Sequence, residues 1–172
     1  EFEGETVAAV AEARDTDPVL AACDLLLEND LRVSIVNHFL AESDVRDILG
    51  CERVNVASDG LFGGKPHPRV YGTFPRVLGH YARDENLLSL EEAVRKMTAL
   101  PARAMGLQRK GVLRPGMDAD LVVFDPQVVS SPATFDDPRQ YPRGISHVLV
   151  DGEFVVRDGA GTDARPGTAI RK

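Results

Sequence analysis

The chain has 172 residues, with 20 Lys and Arg against 27 Asp and Glu, so its formal net charge is −7; 43% of residues are hydrophobic and 27% charged. That is ordinary globular composition with enough apolar material for a core, which excludes wholesale disorder. The acidic balance lacks the concentrated Lys/Arg footprint that a phosphate backbone requires, which excludes a nucleic-acid partner, and no run approaches the roughly 18 to 20 apolar residues of a membrane helix. The opening Glu1-Phe2-Glu3-Gly4 is neither basic nor apolar enough for a signal peptide, so a cytoplasmic protein is expected. The chain starts without Met inside a helical pattern, which reads as a fragment. Its two cysteines, Cys23 and Cys51, have no C-x-x-C spacing, and Cys23 among Ala22, Leu25 and Leu26 reads as a buried free thiol.

Helical spacing of Val7, Val10, Ala11 and Arg14 predicts a helix over 5–15. A second helix opens at Asp17-Pro18, an N-cap followed by proline at the first helical position, and runs to about Asn29. Arg32 to Val36 reads as a short buried strand, Ser43 to Leu49 as a helix closed by Gly50, and Arg53 to Ala57 as a second strand. Strand, helix and strand in this order make a βαβ unit and favour an α/β architecture. Asp59 to Arg69, crowded with Gly and Pro, reads as a loop at a strand's carboxyl end. Helical spacing resumes from Thr73 to about Asp84, and Ser89-Leu90-Glu91-Glu92 is a capping box for a helix that reaches Ala99 or Leu100, with a brief restart at Pro101 until Gly106. Beyond Gly111 the period changes to that of strands: Asp120 to Asp125, a Pro-rich connection from Pro126 to Pro142, then Ser146 to Val150 and Phe154 to Arg157. Asp151-Gly152 supplies the left-handed residues of a type I′ turn between the last two. Gly159 to Lys172 reads as a polar tail, so the chain divides into an α/β segment at 1–108, a small β segment at 109–160 and a tail at 161–172.

In parallel α/β folds functional groups gather at the carboxyl ends of strands, which puts Ser58-Asp59-Gly60 where a catalytic acid or base belongs; Asp-Gly after a strand is also an ordinary turn. His67 and Arg69 follow on a loop stiffened by Pro66 and Pro68. His67 can bind a metal, hydrogen-bond a substrate or merely close the loop, and Arg69 offers a planar charged fork to a carboxylate or pairs with a surface acid. His38 ends a strand and can face the same mouth, whereas His80 in a helix and His147 in a hairpin are background. A Walker loop, a G-x-G-x-x-G opening a helix, a G-x-S-x-G elbow and an H-E-x-x-H are all missing from the sequence, which removes nucleotide and serine-hydrolase readings.

Ser58-Asp59-Gly60, Lys65 to Arg69, Tyr71 to Leu78, Leu88 to Thr98, Leu100 to Arg103, and Gly116 followed by Ala119 to Asp125 occur in one order over nearly the whole chain. Together they resemble the C-terminal part of the N-acyl-D-amino-acid deacylase (D-aminoacylase) family, within the amidohydrolase superfamily. The resemblance implies the last strands and helices of a metal-dependent (β/α)8 barrel over 31–108 and strands of a small β-domain over 109–160. It implies that Asp59 is a zinc ligand and the catalytic proton acceptor, that Arg69 binds the substrate α-carboxylate, and that the adjoining His67 helps to hold substrate. It further implies that the remaining zinc ligands lie on segments outside this chain, so that the isolated 172 residues are inactive. The partner is then a small N-acyl-D-amino acid, together with the rest of the barrel or a second copy to cover open sheet edges. Two alternatives stand beside this reading: a truncated non-catalytic module that needs a partner chain, and another amidohydrolase, hydantoinase-like or dihydroorotase-like.

Overall fold

The computed structural model describes residues 2–170. At the N-terminal end two helices form a hairpin, α1 at Val7–Ala13 and α2 at Pro18–Glu28. Each is started by a side-chain oxygen that takes up an orphan backbone N–H: Thr6 accepts from Ala9 and Asp17 accepts from Val19. They close over a small separate core of Val10, Ala11 and Ala21, flanked by Phe2 and Leu25. Cys23 is exposed, against the expectation of a buried thiol, because α2 buries only the stripe through Ala21 and Leu25 and Cys23 lies two residues, about 200°, around the helix from Ala21.

The two strands expected at 32–36 and 53–57 are not formed, and with them the βαβ unit is lost as a hydrogen-bonded ladder. A strand exists only through a neighbour, and among the described residues none pairs with either segment; Ile35 is 72% exposed. Between them α3, Glu42–Gly50, forms as read, with the Asp44 carboxylate accepting from the Ala41 backbone N–H. The following helix begins at Arg69, four residues before the expected Thr73, because Pro68 has a helical backbone conformation and serves as its N-cap. This α4, Arg69–Arg76, tolerates Pro75 near its end and widens at once into a π-helix over Val77–Asp84. Ser89 caps α5, Leu90–Met97, by accepting from Glu92 N–H. The expected continuation to Ala99 breaks at Thr98, whose backbone at φ −131°, ψ −83° is not helical, and α6 follows over Ala99–Ala104.

These helices share the main core: Leu49 from α3, Val77, Leu78, Tyr81 and Ala82 from the π-helix, Leu88, and Ala93 from α5. Polar ties hold α3 to the same helix, with Arg46 donating from Nε and Nη2 to the two Glu85 oxygens at 2.9 and 2.7 Å and the Tyr81 hydroxyl donating to Glu42 Oε1 at 2.6 Å.

The remaining regular structure is an open antiparallel sheet in the order β1, Leu121–Phe124; β2, Ile145–Val150; β3, Glu153–Arg157; and β4, Ala160–Gly161. The β2–β3 turn has positive φ at both central residues, Asp151 at 50° and Gly152 at 82°, as a type I′ turn requires. β4 lies in what the sequence presents as tail; its two residues carry almost no hydrophobic signal, and pairing to β3 is what makes them a strand. Among the described residues this four-stranded sheet is not closed into a barrel. It is joined to the helices by Phe124 and Ile145, which pack on the main core, and by Val129, fully buried there, whose carbonyl accepts from Arg83 Nη1 at 2.8 Å.

Val129 comes from the Pro-rich connection yet sits inside the helical core, so its side chain couples sheet to helices. Val129→Ala removes two buried methyl groups and should cost about 2 kcal/mol, read as a lower urea midpoint at an unchanged slope. A midpoint equal to that of the unsubstituted chain would show that the connection is not part of the cooperative core.

Candidate functional site

The loop 58–68 and the first turn of α4 bring the chemistry together. Asp59 has φ 44°, in the left-handed region that Asp tolerates better than most side chains. Gly60 next to it passes so close to α4 that a Cβ there would lie 3.3 Å from Val70 Cα. The missing side chain lets the loop fold back on the helix start, and Arg69, the first residue of α4, then reaches Asp59: Nη2 lies 3.0 Å from Oδ2. With the Asp59 side chain 82% exposed, an ion pair of this kind is worth about 0–1 kcal/mol. It orients the two groups more than it stabilises the fold.

Arg69 carries the most informative atom of the site. Its Nε is buried without a hydrogen-bond partner, although the guanidinium as a whole is part-exposed. A buried donor left unpaired is costly. Nη2, on the same edge as Nε, is the atom that faces Asp59, and the rest of the part-exposed fork is suited to a second carboxylate.

His67 is locked by the same turn. Its Nδ1 accepts from the Arg69 backbone N–H at 3.0 Å, so this nitrogen is unprotonated. Burial in the first place, then the Arg69 charge and the neighbouring His38, push its imidazole below the ordinary histidine range. Phe135, from the connection between β1 and β2, stands edge-on to two imidazoles, with ring centroids 5.0 Å from His67 and 4.6 Å from His38. The structure thus gathers Asp59, Arg69, His67 and His38 in one place. His80 and His147 lie elsewhere, His80 facing Glu85 at 3.1 Å and His147 accepting from Asp158 N–H at 3.1 Å. Phe135 escapes sequence reading because a lone aromatic in a Pro-rich connection carries no periodic signal, and only the fold brings it some 70 residues back to His67.

Among the described residues no three His, Cys, Asp or Glu side chains are placed to hold a metal ion. Asp59 is a single carboxylate already facing a cation, and His67 spends Nδ1 on the backbone. These donors do not make up a zinc site, which needs three or four ligands converging on one point.

The model of the amidohydrolase family matches residues 52–156. The chain is 48% identical over 132 residues to a D-aminoacylase of Alcaligenes xylosoxydans xylosoxydans, covering 76% of this chain and 27% of that protein. It is 43% identical over 173 residues to an N-acyl-D-glutamate deacylase of the same organism, covering 100% of this chain and 34% of the relative. Among solved structures, an N-acyl-D-glutamate deacylase from Bordetella bronchiseptica, complexed with zinc and a phosphonate inhibitor that mimics the tetrahedral intermediate, superposes with a TM-score of 0.81 at 42% identity, over 88% of this chain and 31% of that one. The chain therefore spans about a third of the length of the relatives it matches.

The lowered His67 pKa has a pH signature. Between His67's own value and the ordinary imidazole value of about 6.5, the unfolded chain binds more protons than the folded one, so stability rises with pH across that window. The contribution is complete above 6.5 and is lost as pH falls through the folded value. The His67 ring signals should titrate below 6.5 by NMR, and His67→Asn should remove this share of the acid-side loss of stability. A titration midpoint at or above 6.5 would contradict the locked ring.

Proposed function

The chain belongs to the amidohydrolase family, and on that premise we propose that it is the C-terminal portion of a zinc-dependent hydrolase that cleaves N-acyl-D-amino acids to a carboxylate and a free D-amino acid. The observation that carries the reading is the Asp59–Arg69 pair inside the segment matched by the family. The amide substrate has two features these groups complement: an α-carboxylate for a guanidinium, and a carbonyl whose hydrolysis needs a base.

Arg69 receives the substrate carboxylate at the exposed part of its guanidinium, which sets the amide near Asp59. The Asp59 carboxylate accepts a proton from water as the water oxygen bonds to the amide carbon. That proton then passes from Asp59 to the amide nitrogen, the C–N bond breaks with its electron pair on nitrogen, and the hydroxyl proton leaves as the acid ionises. His67, neutral and fixed by the Arg69 N–H, stiffens the turn from which Arg69 projects. Zinc dependence belongs to the full-length protein, to which this chain supplies Asp59 as one donor; by itself the chain is inactive.

The architecture is part of the same proposal. Segments 32–36 and 53–57 are the last strands of a (β/α)8 barrel, residues 1–108 the end of that barrel, 109–160 the C-terminal part of a small β-domain and 161–172 its tail. Leu31, Ile35, Phe39, Leu40, Leu61 and Phe62 are all exposed. A barrel's remaining strands and helices would bury these residues and complete the missing ladders.

In the full-length protein, Asp59→Asn should lower kcat by about 10²–10⁴-fold with bound zinc retained, read by steady-state kinetics and metal analysis. Near-normal turnover would remove Asp59 from the chemistry. Arg69→Ala should mainly raise KM for substrates with a free α-carboxylate and leave carboxylate-free amides little changed. Equal losses on both substrate types would mean that Arg69 serves the fold and not the ligand.

A further inference from the structure

Lys96 is the one charged residue among those described that is fully buried, at 0% exposure, and the mechanism above does not use it. It sits in the last turn of α5, on the inner face beside Ala93. Its Nζ donates to the carbonyls of Cys51 and Val54, the latter at 2.9 Å, with Glu92 Oε1 4.0 Å away. The exchange also runs in the other direction, since Val56 N–H donates to the Lys96 carbonyl at 3.0 Å. Arg95 adds a fourth tie by donating from Nη2 to the Glu52 carbonyl at 2.9 Å.

All four bonds fall on residues 51–56, a segment without a ladder partner among the described residues. Buried carbonyls need hydrogen-bond partners, and a buried amino group supplies them to Cys51 and Val54. Three residues beyond Val56 the chain emerges at Asp59. Arg69 stands on α4, which does not involve Lys96, and the Gly60–Val70 approach ties the Asp59 loop to the start of that helix. The guanidinium is therefore placed by α4, and the carboxylate from two sides, by the ties on residues 51–56 and by the Gly60–Val70 approach.

We propose that Lys96 is a positioning residue for Asp59: its buried amino group staples segment 51–56 to α5 and so fixes where the carboxylate stands relative to Arg69. This deepens the hydrolase reading and rests on it for the kinetic consequence. The staple itself is a statement about this chain alone. Substrate binding through Arg69 should survive its loss, whereas proton transfer, sensitive to displacements of an ångström, should not.

The test uses the full-length protein with Lys96→Met, which keeps the aliphatic stem and removes the donors, and Lys96→Arg, which restores donors. Lys96→Met should lower kcat by about 10- to 100-fold with KM within about twofold, and Lys96→Arg should recover part of the loss. Hydrogen exchange should show faster exchange over 51–60, including the Val56 amide, with the π-helix over 77–84 as protected as before. If Lys96→Met does not fold, Lys96→Gln, with a shorter donor, is read in the same way and should fall between the two. Unchanged kcat together with unchanged protection at Val56 would overturn the proposal, as would losses spread evenly over kcat, KM and exchange at every helix, which mark a general stability effect. If the unsubstituted protein hydrolyses no N-acyl-D-amino acid, the hydrolase reading has failed. Exchange then decides the staple: opening confined to 51–60 supports it and unchanged protection overturns it.

Discussion

Burial of one face of the helix that runs from Arg69 to Asp84 organises the molecule. Its middle supplies Val77, Leu78, Tyr81 and Ala82 to the main core, where α3, α5 and Val129 meet. Everything of functional interest hangs on its two ends and flanks. Arg69 projects from the first turn toward Asp59, and at the far end Arg83 holds the Val129 carbonyl while Glu85 takes the Arg46 fork. The widening into a π-helix after Pro75 changes which side chains reach the core, so the same helix serves three neighbours over four turns.

The site is correspondingly a meeting of parts with different supports. Arg69 rides on a packed helix, Asp59 on a loop stapled from behind by α5, and His67 on the proline-flanked turn between them. Phe135 reaches in from the sheet side of the molecule and touches both His67 and His38. The Asp59–Arg69 ion pair is too exposed to hold this assembly together. The order comes from bonds to backbone: Arg69 N–H to His67 and the Lys96 and Arg95 bonds to residues 51–56.

Two features that look like defects in isolation agree with a part of a larger fold. The segments with strand character at 32–36 and 53–57 lie without ladders, and large apolar side chains between Leu31 and Phe62 face outward. β-branched alternation signals strand propensity, but a ladder needs a second chain segment at about 4.8 Å. The deacylase relatives are about three times as long, which is where such segments would come from if this chain folds as theirs does. The antiparallel sheet needs no such help, because its neighbours are consecutive in sequence and its tight turn is local.

What the sequence by itself determined were the features encoded within a few residues. The caps at Asp17 and Ser89, the Asp151-Gly152 turn, the strands around it, and the ordered motifs that tie Asp59, His67 and Arg69 to a family all fall in this class. Each is short-range, because a cap, a turn or a Pro-flanked loop is decided by the dihedral preferences and side-chain oxygens of adjacent residues. The tertiary structure alone decided which strand-like segments find a partner and which face of α2 is buried, so that Cys23 faces solvent. It alone decided that Val129 enters the helical core, that Phe135 stands against His67, and that Lys96 is buried under the segment leading to Asp59. The Val129, Phe135 and Lys96 contacts join residues more than 40 positions apart, pairing needs a neighbouring strand and the buried face of α2 needs α1, and no local pattern carries that information.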